Sequence, residues 1–187
     1  MVAILDENKK VIEIKGLNVD KKFYEEIFVE GNGKDVGDMF AQKFLVTQDL
    51  WKAVTGKNPA SNKGSALPIE SITWIDAVDF CNELSRRAGF TPAYNIPADG
   101  NYEKVTFVEG ADGYRMPTTA EMIYLAKGGN KSKGYIYSGS NNHDEVAWTA
   151  SNSNGHTHQV GELLPNELGI YDLMGNVWKM CNDPDTK

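Results

Sequence analysis

Apolar residues recur at helical spacing in three stretches of this chain and gather at strand length in several others. The clearest periodic stretch runs from Trp74 to Ala88. Trp74, Ala77, Val78, Cys81, Leu84 and Ala88 trace one face, while Asp76, Asp79, Asn82, Glu83 and Arg86 take the other. Thr73 is placed to cap this helix, Asp76 suits its positive end, Arg86 and Arg87 suit its negative end, and Gly89 stops it. A shorter helix is expected after Thr47, with Leu50, Trp51 and Val54 inward and Gly56 as its end; Trp51 reads as core. The third opens behind Arg115-Met116-Pro117. There Thr118 and Glu121 form a capping box, which satisfies two orphan backbone donors at once, and Gly128 is the expected stop.

Strand signals are shorter. Val2 to Leu5 and Val11 to Ile14 predict a hairpin around the polar turn Asp6 to Lys10. Phe23 to Val29 reads as a strand or a short helix, and Lys104 to Val108 as a β-prone patch within a polar connector. The glycines of Gly31-Asn32-Gly33-Lys34 lack any nucleotide-binding spacing. From Tyr135 onward, polar, turn-rich loops surround the short apolar run Val146-Ala147-Trp148. Two main helices, small sheets and much irregular chain predict an α+β fold. Packed loops must satisfy their backbone groups, and the many Asn and Ser residues suit that task.

Composition narrows the function classes. With 187 residues and 41% hydrophobic content, the chain can bury a core as one domain. A net charge of -7 gives no electrostatic footprint for nucleic acid or an anionic membrane. No run approaches the length of a membrane helix. The start lacks an apolar signal core, which predicts the cytoplasm; removal of a leader would undo that inference. Two cysteines make no disulfide framework. Cys81 falls on an apolar stripe and reads as a buried small hydrophobe, and Cys181, behind two bulky apolar residues, is also expected to be packed. His156 and His158 alternate, with His143, Asp144 and Glu145 nearby, but no third ligand falls at a zinc or iron spacing.

Two motifs give more. Gly113-Tyr114-Arg115-Met116-Pro117-Thr118 and the run Gly169-Ile170-Tyr171-Asp172-Leu173-Met174-Gly175-Asn176-Val177-Trp178-Lys179-Met180-Cys181 together resemble the formylglycine-generating-enzyme (sulfatase-modifying factor) family. In that family the first motif continues Arg-Leu-Pro-Thr-Glu-Ala-Glu-Trp-Glu-Tyr-Ala. Here Thr119, Met122 and Ile123 depart from it. The resemblance implies a C-type-lectin-like fold with two main helices, small antiparallel sheets and long loops. It divides the chain into an N-terminal hairpin or extension, 1–36, and an incomplete family domain, 37–187. Arg115, Thr118, Glu121, Asn176 and Trp178 are its structural motif residues.

The resemblance also implies a calcium site formed by the Asp172 side chain, the carbonyls of Gly175 and Val177, and the residue at position 179. The family has Glu there; Lys179 has donors only and cannot coordinate a cation. Its ammonium is expected in the ion's place, paired with Asp172. Calcium is the one cofactor left open, and copper is not expected. Family enzymes oxidise a substrate cysteine through copper held by a cysteine pair downstream of this run, in a stretch these 187 residues do not contain. Cys81 and Cys181 match neither member of that pair, so no catalytic residue is assigned. Three readings follow. The first is a non-catalytic lectin-like binding or scaffold protein for a protein, peptide or glycan. The second is an oxidoreductase completed by another chain. The third is an assembly module, homo-oligomeric or partnered, that uses an open sheet edge.

Overall fold

The computed structural model describes residues 3–6, 14 and 16–182. A three-stranded antiparallel sheet is built from β1 (Ile4–Asp6), β2 (Glu26–Val29) and β3 (Met39–Gln42), in the order β1-β3-β2. Ile4 lies opposite Ala41, and Val29 opposite Met39. Side chains alternate across a strand, so β1 serves two cores. Ala3 and Leu5 join Trp51, Phe80, Leu84 and Tyr114, whereas Ile4 joins Val29, Met39, Ala41, Leu125 and Ile170. The free side of β1 is held by Arg115, whose backbone exchanges bonds of 2.9 and 3.0 Å with Ile4.

Thus β1 pairs with a strand far downstream. Most of the expected second hairpin strand, Val11 to Glu13, lies outside the described residues, and Ile14 is buried. The ambiguous stretch at 23–29 is partly each alternative: a 3-10 turn, Lys21–Tyr24, leads into β2. Residues on both sides of position 36 build the one sheet.

The helices are α1 (Gln48–Thr55), α2 (Trp74–Ala88) and α3 (Thr119–Ala126). Thr47, Thr73 and Thr118 each accept the backbone N–H three residues on, at 3.2, 3.3 and 3.2 Å. Asp76 and Glu121 return a bond of 2.8 Å to the Thr73 and Thr118 amides. Thr73→Ala is expected to cost about 1 kcal/mol, read as a lower urea midpoint at unchanged m-value. The first two helices are capped at Gly56 and Gly89; α3 is capped at Lys127, one residue before the expected Gly128.

Trp51 stacks flat on Phe80 at 4.8 Å, which joins α1 to α2. Three positions in α2 depart from the helical pattern, one of them the fully buried Ser85. Phe80 lies off the predicted stripe yet is fully buried. Asn82, assigned to solvent, is 2% exposed. Its amide donates to the Tyr94 carbonyl at 2.8 Å and accepts the Tyr94 N–H at 3.0 Å. It therefore does for one end of β4 (Tyr94–Asn95) what a neighbouring strand would do. That strand pairs with β5 (Thr106–Phe107), which is all of the β-prone patch that forms a strand, because a 3-10 turn occupies Tyr102–Lys104.

The loops beyond α3 are pinned by amides. Asn166 is 5% exposed; it donates to Leu125 and accepts from Leu168 and Ile170. Among the described residues, no helix is long and apolar enough to cross a membrane.

Candidate functional site

The run 169–181 is shaped by two non-glycine residues with left-handed backbones, Asp172 at φ 57° and Asn176 at φ 60°. Asn and Asp tolerate this conformation because their side chains can bond locally. The Asn176 side chain accepts the His158 N–H and donates to the His158 carbonyl, both at 3.0 Å. Its own N–H bonds the Trp148 carbonyl at 2.8 Å. One residue earlier, Gly175 bridges to Trp148 in parallel. Loop 148–158 is thereby fixed against the run. The His158 ring stacks on Trp148, centroids 3.7 Å apart, and its Nε2 lies 3.0 Å from the Ser153 carbonyl. His158 is committed to holding this loop.

Between the two segments lies a groove of about 690 Å³, lined by Trp148, Thr149, Ala150 and Ser153 on one side and by residues 173–179 on the other. Among the described residues, the lining contains no Cys, His, Asp or Glu, and Lys179 is its one charged residue. Trp178, a motif residue in the sequence, is 98% exposed at the rim. Beyond it is a second hollow of about 180 Å³ against Ile69, Ile72 and Met180. Among the described residues, the backbone N–H groups of Val177, Trp178, Lys179 and Met180 have no hydrogen-bond partner; the chain is pinned again at Asn182, whose N–H bonds the Pro117 carbonyl at 2.9 Å.

Asp172 is buried beneath the groove. Its carboxylate accepts the Gly161 N–H at 2.7 Å and the Asn176 amide at 3.4 Å. Burial pushes its carboxyl above the ordinary range, against those bonds and the charge of Lys179. The Lys179 ammonium donates to the Gly175 carbonyl, and Asp172 acts on it through charge. Burial pulls that amine down to about 8, with Asp172 opposing.

These residues do not fit calcium, because a cation already occupies the Gly175 carbonyl and Lys179 contributes no oxygen. Lys179→Glu is expected to reverse this. Without calcium, the new carboxylate beside Asp172 lowers the melting temperature; millimolar calcium restores it and leaves the wild type unmoved. Thermal scans with and without the ion check this.

Arg115 and Glu121 form a bidentate pair at 2.8 and 2.7 Å, with side chains 14% and 9% exposed. Burial raises the Glu121 carboxyl, but the Arg115 bonds and charge overcome it and hold the group below its ordinary value. The pair locks the start of α3 to the Arg115–Ile4 bridge, which is a structural role.

The thiols do not fit copper either. Cys81 is fully buried, and burial pushes it up to about 12, away from the thiolate that copper requires. Cys181, expected in the core, is half-buried. His156 is exposed, and among the described residues no group of three His, Cys, Asp or Glu side chains is placed to hold a metal.

Sequence reasoning found the 169–181 run but missed the opposite wall. Trp148 reads as one residue of a short buried run; only the close approach of Gly175 makes it a groove wall, and that pairing leaves no local signal.

Residues 9–187 match the family described as the sulfatase-modifying factor enzyme 1-like domain. The chain is 39% identical to a Paenibacillus barcinonensis protein named chaperone protein LppX, covering 81% of this chain and 65% of that protein's length. Among solved structures, Treponema denticola variable protein 1 superposes with a TM-score of 0.69 at 29% identity, over 83% of this chain and 68% of that one. CarF superposes at 0.65 with 25% identity, over 95% and 77%. PvdO from Pseudomonas aeruginosa, 22% identical with a TM-score of 0.50 over 83% and 66%, supports the fold alone. The fold is the C-type-lectin-like α+β architecture, and the chain belongs to the sulfatase-modifying factor enzyme 1-like family.

Proposed function

We propose that this chain is a non-catalytic binding or scaffold domain of its family, and that the groove under Trp178 is its recognition surface. The observation that carries this reading is the 98% exposed indole of Trp178, set beside a groove of about 690 Å³ whose wall, among the described residues, holds no thiol, imidazole or carboxylate. Large solvent-exposed aromatics beside apolar hollows are typical anchors of recognition. Acid–base or thiol chemistry needs titratable groups within reach of a ligand, and this groove supplies one amine. A relative named a chaperone fits a role in which another polypeptide is the ligand.

The competing oxidoreductase reading is tested by native mass spectrometry of the purified chain with one equivalent of Cu(I). The expected result is no stoichiometric copper. A stable one-to-one copper adduct that Cys81→Ser or Cys181→Ser abolishes would overturn the non-catalytic reading.

A further inference from the structure

We propose that the groove takes an extended peptide segment bearing acidic and aromatic side chains, seated along residues 177–180. The proposal rests on the groove being the recognition surface and narrows its ligand to one class.

Three observations converge on that ligand. First, four successive backbone N–H groups, Val177 to Met180, lack partners beside the groove. An extended peptide laid along one side of this segment can bond alternate members of the set, so strand addition satisfies about half of them. Second, Trp178 at the rim, with Leu173, Met174 and Val177 in or beside the lining, gives an aromatic or aliphatic side chain a surface to cover.

The third observation is charge. On a chain of net charge -7, the groove's single charged residue is a cation. Lys179 has three donors and uses one on Gly175. Among the described residues, the carboxylate that acts on it, Asp172, is buried and already bonded to Gly161 and Asn176. An incoming carboxylate finds a partner here, and a basic side chain finds none. A glycan fits less well. Sugar hydroxyls donate as well as accept, and the one side-chain amide in the wall, Asn176, is committed to His158 through both of its polar atoms.

The test is selection from a random peptide library on the full 187-residue chain, after which the affinity of the selected peptides is measured on Trp178→Ala. Trp178 is exposed, so this variant is expected to melt with the wild type and to report binding rather than folding. Selected peptides should be enriched in Asp or Glu together with aromatic residues. Trp178→Ala should weaken them about ten-fold or more. Lys179→Ala should abolish the preference over charge-reversed copies. Methylating alternate backbone nitrogens along one peptide edge should also cost about ten-fold.

Peptides selected without charge bias, or bound equally by Trp178→Ala, overturn the proposal. A parallel NMR titration with chitotriose separates the two levels of the argument. If the sugar moves the groove signals and peptides do not, the peptide assignment fails and the recognition surface stands. If neither touches the groove, both fail.

Discussion

Arg115→Ala is expected to lower the unfolding free energy by about 3–5 kcal/mol, because it leaves the Glu121 carboxylate buried without its partner. That is a large share of the roughly 5–15 kcal/mol that holds a domain of this size together. Urea denaturation at neutral pH measures it. Adding Glu121→Gln to Arg115→Ala should recover part of the loss, since a neutral amide is less costly to strand than a charge. A double variant no better than the single would place the loss in the Arg115 packing instead.

The same pair sets an acid dependence. Folding holds the Glu121 carboxyl below its ordinary value of 4.5, so its contribution is fully present above 4.5. It fades as pH falls through the folded-state value. The stability gap between wild type and Arg115→Ala should therefore narrow on acidification, first as the stranded Glu121 of the variant takes up a proton and then as pH falls through the wild-type value. Asp172 runs the other way. Its raised carboxyl costs stability near neutrality, and that cost is relieved on acidification, so Asp172→Asn should flatten a rise rather than a fall.

Gly175→Ala is the second large effect. Gly175 sits at φ 71°, and an added Cβ would lie 2.2 Å from the Trp148 carbonyl oxygen. Backbone cannot move aside as a flexible side chain can. The left-handed conformation costs about 1–2 kcal/mol for an L-residue, and forcing the two segments apart about 1–3 kcal/mol more. The bridge to Trp148 should open. Its signature is a lower denaturation midpoint together with a shifted Trp148 indole signal. Gly16→Ala, at a similar φ but with open space around it, isolates the conformational part.

The helices were legible because their information is local. Thr73 caps α2 as its position predicts, Thr118 and Glu121 form the capping box their spacing predicts, and Asp76 adds the reciprocal bond to Thr73. The Arg115 motif and the 169–181 run identified the family for a related reason, since each is a contiguous stretch with unusual residue order. Long-range pairings were not legible. The placement of β1 between β3 and Arg115 joins residues 4, 41 and 115, and β-prone character alone carries no address for a partner. Asn82 was misjudged because a polar side chain can be buried wherever it substitutes for a strand neighbour. The groove was hidden for both reasons: one wall is the recognised run, and the other is a loop 20 to 30 residues upstream.

The measurement that tests the recognition surface most directly is a ¹⁵N NMR screen of the intact chain against small aromatic carboxylates, followed at the four tryptophan indoles. Binding at the groove predicts that the Trp178 and Trp148 signals move together with the backbone amides of Val177 to Lys179, while the buried Trp51 stays fixed. Shifts confined to other surfaces, with Trp178 unmoved at saturation, would contradict the assignment of this groove as the site where the protein binds.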